Sequence, residues 1–153
     1  MNLDVSRALV ARSIAQLQEV GKGLREHVLL WLGQRHGDDV RATEMYVPEQ
    51  IASYDFFSIP PRSMRALMQH LRERSLMIAA QVHSHPAEAF HSAADDRWAI
   101  VRHEGAFSIV LPYFAKVTTV ENFLATASTF TLNSRNEWCL VPAVKLAKHV
   151  RLQ

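Results

Sequence analysis

His83 and His85 stand two residues apart at the end of an apolar run, Met77 to Val82, that reads as a central strand. Side chains alternate across a strand, so both imidazoles point to one side and can share one ion. Zinc accepts neutral imidazole nitrogens and carboxylate oxygens, and a hydrolytic site uses three protein ligands while leaving a fourth position for water. Asp95 supplies the third ligand: Ser92 and Asp95 are i, i+3 at a predicted helix start beyond Pro86, so both can face the metal. The Ser92 hydroxyl can then donate to an oxyanion. The remaining part is a base, a carboxylate near the metal but not on it, and Glu26 is the candidate from far upstream. The chemistry these residues describe is hydrolysis by water activated at one zinc ion.

Each fragment alone has a plainer reading. A His-x-His in a chain with eight histidines arises by chance, Ser-x-x-Asp is more often a helix capping box, and a glutamate beside a strand is usually a solvated charge. It is their joint occurrence that points to a metal. His27, His36, His70, His103 and His149 lack ligand spacing and are expected at the surface or half-buried, and His91, beside Ser92, is expected to cap or pack. Met64 and Met68 are expected in the core. Competing zinc motifs are absent: Phe107 stands where His-Glu-x-x-His would need a histidine after His103-Glu104, and a deaminase would need paired cysteines where this chain has only Cys139.

The elements that must hold these residues follow from periodicity. Val10, Ile14, Leu17 and Gly21 predict a helix over about 5–20, capped by Asp4 and ended by Gly21 and Gly23. Val28 to Leu32, bounded by Gly33, predicts a buried strand, with Gly37-Asp38-Asp39 turning the chain into a partner strand from Val40 to Val47. Pro60-Pro61 followed by Met64, Leu67, Met68 and Leu71 predicts a second amphipathic helix. Ser92 to Arg102 reads as a short helix and Phe107 to Leu111 as a strand; 118–132 is ambiguous between the two, and 138–152 adds a final strand or helix. This order suggests an α/β or α+β mixed sheet flanked by helices.

With 153 residues and no linker-like stretch, residues 1–153 are expected to form a single domain around one core. An apolar share of 48% with 21% charged residues excludes disorder as the main state. The net charge of +2, from seventeen basic residues scattered among fifteen acidic ones, argues against nucleic acid as a partner. Asp4, Arg7, Arg12 and Glu19 break any signal-peptide core, and no apolar run approaches the ~18 residues of a membrane span. A lone cysteine fits a reducing compartment, so a cytoplasmic protein is expected.

Glu26 ahead of Val28 to Leu32 and Gly33, then His83-Ser84-His85-Pro86, then Ser92-Ala93-Ala94-Asp95 resembles the JAMM or MPN-plus metallopeptidases. Their pattern is a glutamate opening a strand, then His-x-His-Pro, then Ser-x-x-Asp. The resemblance spans about 24–111, and the stretches Ala89 to Asp96 and Ser108 to Pro112 look most like the compact prokaryotic branch of JAB type. It implies an MPN/JAB-like fold, zinc ligation by His83, His85 and Asp95, a general base at Glu26, and stabilisation of the tetrahedral intermediate by Ser92. One departure stands out: in many relatives the aspartate lies eleven residues after the second histidine, which would select Asp96 and place Ala93 in the serine position. Keeping serine and aspartate at i, i+3 favours Asp95. The resemblance further implies a deubiquitinase-like isopeptidase acting on a ubiquitin-like protein or its conjugates, in a bacterial conjugation pathway that includes antiviral operons. Two alternatives come with it: a non-catalytic scaffold of the same fold, and a DNA-repair-associated branch, which prefers asparagine where this chain has Ser84.

Overall fold

The computed structural model describes residues 1–90, 95–96 and 99–153. Its main feature is an eight-stranded mixed sheet built from β1 (Asn2–Val5), β2 (Val28–His36), β3 (Asp39–Tyr46), β6 (Met77–Ser84), β7 (Phe107–Leu111), β8 (Ser128–Leu132), β9 (Trp138–Leu140) and β10 (Val150–Leu152). The strand order is β10-β1-β3-β2-β6-β7-β8-β9. The short pair β4 (Ile51–Ala52) and β5 (Phe57–Ser58) forms a separate hairpin. Helices α1 (Arg7–Gly21), α2 (Pro61–Arg74), α3 (Phe123–Thr126) and α4 (Ala143–His149), with a single 3-10 turn at Tyr113–Ala115, accompany the strands.

The run Val28 to Leu32 is fully buried because β2 is covered on both faces, which is why it reads as continuous rather than alternating. Alternation sends Leu29 and Trp31 into one apolar cluster with Leu9, Val10 and Leu17 of α1, and Leu30 and Leu32 into another with Leu67 of α2. The single core expected from the sequence is therefore two, one on each side of the sheet. Trp31 also ties sheet to helix: its indole N–H donates to Ser13 Oγ at 2.8 Å.

Several expectations are corrected. Helix α1 is capped by Ser6, whose Oγ accepts from the Leu9 N–H, while Asp4 lies in β1, a strand the reading missed because it is only four residues long. Gly33 does not end β2. It sits inside the strand at a bulge, where a Cβ would lie 1.9 Å from the Arg41 carbonyl oxygen, so only glycine lets β3 approach. The predicted helix over 92–102 falls partly outside the described residues, and 99–102 are non-helical. The ambiguous 118–132 stretch holds both α3 and β8, and 138–152 folds as β9, α4 and β10. Met68 is 42% exposed rather than core, and His27 is buried rather than half-exposed.

Candidate metal centre

Strand β6 runs through the middle of the sheet, antiparallel to β2 and parallel to β7, and His83 leaves its C-terminal end fully buried. His85 follows one residue past the strand. Its backbone is clamped on both sides: the His85 N–H donates to the Leu111 carbonyl at 2.9 Å, and its own carbonyl accepts from the Phe114 N–H at 2.7 Å. The His85 ring also hydrogen-bonds to the backbone of Glu88, the kind of outer contact that fixes a ligand imidazole's orientation. Phe57 and Phe90 pack their rings against His83 and His85, with centroids 5.5 and 4.6 Å away.

Asp95 faces both imidazoles. Its Oδ1 is 3.3 Å from His83 Nε2 and its Oδ2 is 2.9 Å from His85 Nε2, and one donor atom from each residue falls within 4.8 Å of the others. Between the two aspartates the geometry discriminates clearly: Asp95 is buried in this cluster, whereas Asp96 is turned outward against Arg102. Two imidazoles and one carboxylate are donors zinc accepts, and separations near 3 Å suit ligand atoms held ~2 Å from one centre. The three residues present thus fit a metal ion. Ser92 lies outside the described residues, as does His91.

Glu26, 59 residues before His85, arrives beside the cluster without joining it: its carboxylate is 3.9 Å from His85 Nε2 and is 3% exposed. It precedes β2 and is held by the segment around the β4–β5 hairpin. Its N–H donates to the Ser53 carbonyl at 2.7 Å, and the Gln50 amide accepts from the Val28 N–H and donates to the Val28 carbonyl. Burial pushes the Glu26 carboxyl up to about 7, against the opposing pull of His85, while the negative charges of Asp95 and Asp55 add to the rise. For His85, burial favours the neutral ring, but the hydrogen bond and charge of Asp95, together with Glu26, raise its affinity for a proton above the ordinary value. Neighbouring His27 has no such partner, and burial pushes it down to about 4.

Sequence reasoning missed the residues that hold the donors. Gln81, two before His83 and on the same side of β6, donates to Ser108 Oγ at 3.0 Å and accepts from the Ile100 N–H at 3.0 Å. It thereby pins the chain five residues after Asp95 to the centre of the sheet. A glutamine inside an otherwise apolar strand was the available signal. Gly21 ends α1 as the sequence predicts, and it also makes room for Phe114, whose Cβ would lie 2.6 Å from a Cβ at position 21.

The model of a family described as prokaryotic homologs of the JAB domain matches residues 9–123, most of the chain. The protein belongs to that family. The resemblance carried by Glu26, His83-Ser84-His85-Pro86 and Asp95 is borne out at this level, and the prokaryotic JAB assignment agrees with the observed mixed sheet and flanking helices. A relative named "Probable metalloprotease y4jG", from Sinorhizobium fredii (strain NBRC 101917 / NGR234), is 30% identical over 151 residues, covering 95% of this chain and 91% of the relative. The solution structure of protein DSY2949 from Desulfitobacterium hafniense superposes with a TM-score of 0.71 at 18% identity, over 99% of this chain and 92% of that one, a likeness of fold. Family and relative together support a peptidase-like function for a JAB domain whose His83, His85 and Asp95 can bind a metal. Among the described residues no helix is long and apolar enough to cross a membrane.

Proposed function

We propose that this chain is a zinc metallopeptidase that hydrolyses an amide or isopeptide bond, with His83, His85 and Asp95 holding one ion and Glu26 moving the proton. The observation that carries the reading is the position of Glu26: a buried carboxylate beside three metal donors, close enough to exchange a proton with a reacting group yet outside the ligand set. When bound, zinc would polarise the substrate carbonyl and make water acidic enough to attack near neutral pH. Glu26, with a proton affinity near neutrality, takes a proton from the attacking water and returns it to the departing amine. Ser92 is proposed to donate a hydrogen bond to the oxyanion. No covalent intermediate on the protein is required.

The proposed substrate is a ubiquitin-like protein or its conjugate in a bacterial, cytoplasmic conjugation pathway of the kind found in antiviral defence, a reading supported by family likeness. Glu26→Gln tests the chemistry. The variant should bind zinc with the stoichiometry of the wild type and lose about 10²–10⁴-fold in cleavage of a ubiquitin-like fusion, the usual weight of a general base. Turnover equal to wild type would remove Glu26 from the reaction. Wild-type protein that takes up no zinc and cuts nothing would instead support the scaffold reading.

A further inference from the structure

A cavity of about 720 Å³ opens beside the candidate centre, lined by Leu24, Tyr54, Pro86, Tyr113, Phe114 and Lys116 among others. Pro86 directly follows His85, Leu24 precedes Glu26 by two residues and Phe114 hydrogen-bonds the His85 carbonyl, so the cavity is walled by the segments that adjoin the centre, although the four site residues do not themselves line it. Leu24, Tyr54 and Tyr113 are 60%, 55% and 45% exposed. Large apolar side chains gathered in the open around one hollow mark a place where something binds.

The backbone points the same way. Leu24, Tyr113 and Phe114 have φ of +53°, +53° and +52°, and Ala115 +59°, so four of the six non-glycine residues with positive φ among the described ones meet here. Side-chain-bearing residues avoid this region, and a cluster of them persists only where surrounding contacts enforce it, as at active sites and ligand clamps. Those contacts are present: Phe114 N–H to the His85 carbonyl, Tyr113 N–H to the Ala87 carbonyl at 2.9 Å, and the Tyr54 ring edge-on to Phe114 at 5.6 Å. The same strained turn therefore shapes the hollow and clamps a proposed metal ligand. No acidic residue lines the cavity; Lys22 is occupied by Glu19 at 2.7 Å, which leaves Lys116 as the cation without an ion pair among the described residues.

We infer that this cavity is the specificity pocket of the peptidase: it takes a large apolar side chain next to the bond that is cut, and Lys116 takes the carboxylate of an acidic residue following that side chain. The inference rests on the peptidase reading and adds to it the kind of polypeptide the site selects. It is tested by titrating isotope-labelled, zinc-loaded Glu26→Gln protein with acetyl-Gly-Phe-Asp-Gly-amide and with analogues bearing Ser for Phe or Lys for Asp, following amide resonances by NMR. The Phe-Asp peptide should shift Leu24, Tyr113, Phe114 and Lys116, with the Ser analogue at least about tenfold weaker. Lys116→Glu should reverse the preference between Asp and Lys, which a merely structural role for Lys116 would not do. No binding at millimolar concentration, equal binding of the Phe and Ser peptides, shifts confined to another face, or an unchanged preference in Lys116→Glu would each overturn the inference. A wild-type protein that cuts peptides regardless of Phe or Ser keeps the peptidase reading and loses the pocket. One that binds in the expected order but cuts nothing keeps the pocket and loses the peptidase reading.

Discussion

Glu26 is kept in a position that costs the fold. Its carboxyl ionises near the ordinary value of 4.5 in the unfolded chain but only at about 7 in the folded, metal-free protein, chiefly because it is buried. Between these values the folded state holds a proton that the unfolded state has released, so stability declines as pH rises through that window and stays reduced above it. Glu26→Gln removes the penalty. The metal-free variant should be more stable than metal-free wild type above pH 7, by roughly 1–2 kcal/mol once screening by water at the cleft is allowed for, and the difference should vanish toward pH 4.5. Urea denaturation at several pH values measures it, and a pH-independent difference would mean that Glu26 is not held protonated by burial. A residue that lowers stability where it sits, beside three metal donors, is what a working acid or base looks like. The roles of His83, His85, Asp95 and Glu26 could be suggested from sequence because donor types and strand alternation are local facts. The holders were harder to see: Gln81 shows only as a polar residue in an apolar strand, and the partners of Gln50, Gln81 and Ser53 lie on segments that only the fold brings together.

At the scale of elements, the end of α1 matters to the centre although it carries none of its chemistry. Gly21 lets Phe114 lie against the helix, and Phe114 hydrogen-bonds the His85 carbonyl, so the helix end sets the height of the clamp. Gly21→Ala brings a methyl group into Phe114. We expect a loss of about 1–3 kcal/mol in stability, as for overpacking elsewhere, accompanied by about tenfold weaker zinc affinity in a chelator competition. Lower stability with unchanged zinc affinity would show that the clamp does not transmit the displacement. Long periodic elements such as α2, and the β2–β3 hairpin with its turn at Gly37, were legible because hydrophobic period and turn residues fix them locally. The strands β1, β9 and β10, three or four residues each, were not, since so short a run has no period to read and becomes a strand only by pairing.

Across the whole molecule, β1 lies between β10 and β3, both parallel to it, and Arg151 joins all three by donating to Asp4 and Asp39. Asp4 is buried, so Arg151→Met leaves a carboxylate with its partner removed; Arg151 itself is partly in water, which moderates the loss. The loss should appear as a lower midpoint in urea, and Asp4→Asn added to Arg151→Met should restore part of it. If Asp4→Asn instead costs as much again, the two residues are not coupled. The same strand order bears on synthesis. Every residue assigned here to ligation, proton movement or the His85 clamp falls between Glu26 and Phe114, whereas β8, β9 and β10 come later. On the ribosome, then, a growing chain holds a full set of metal donors while the outer edge of β1 is still bare. It is β10, made after all of those donors, that covers the outer edge of β1 and keeps it from pairing with a stranger.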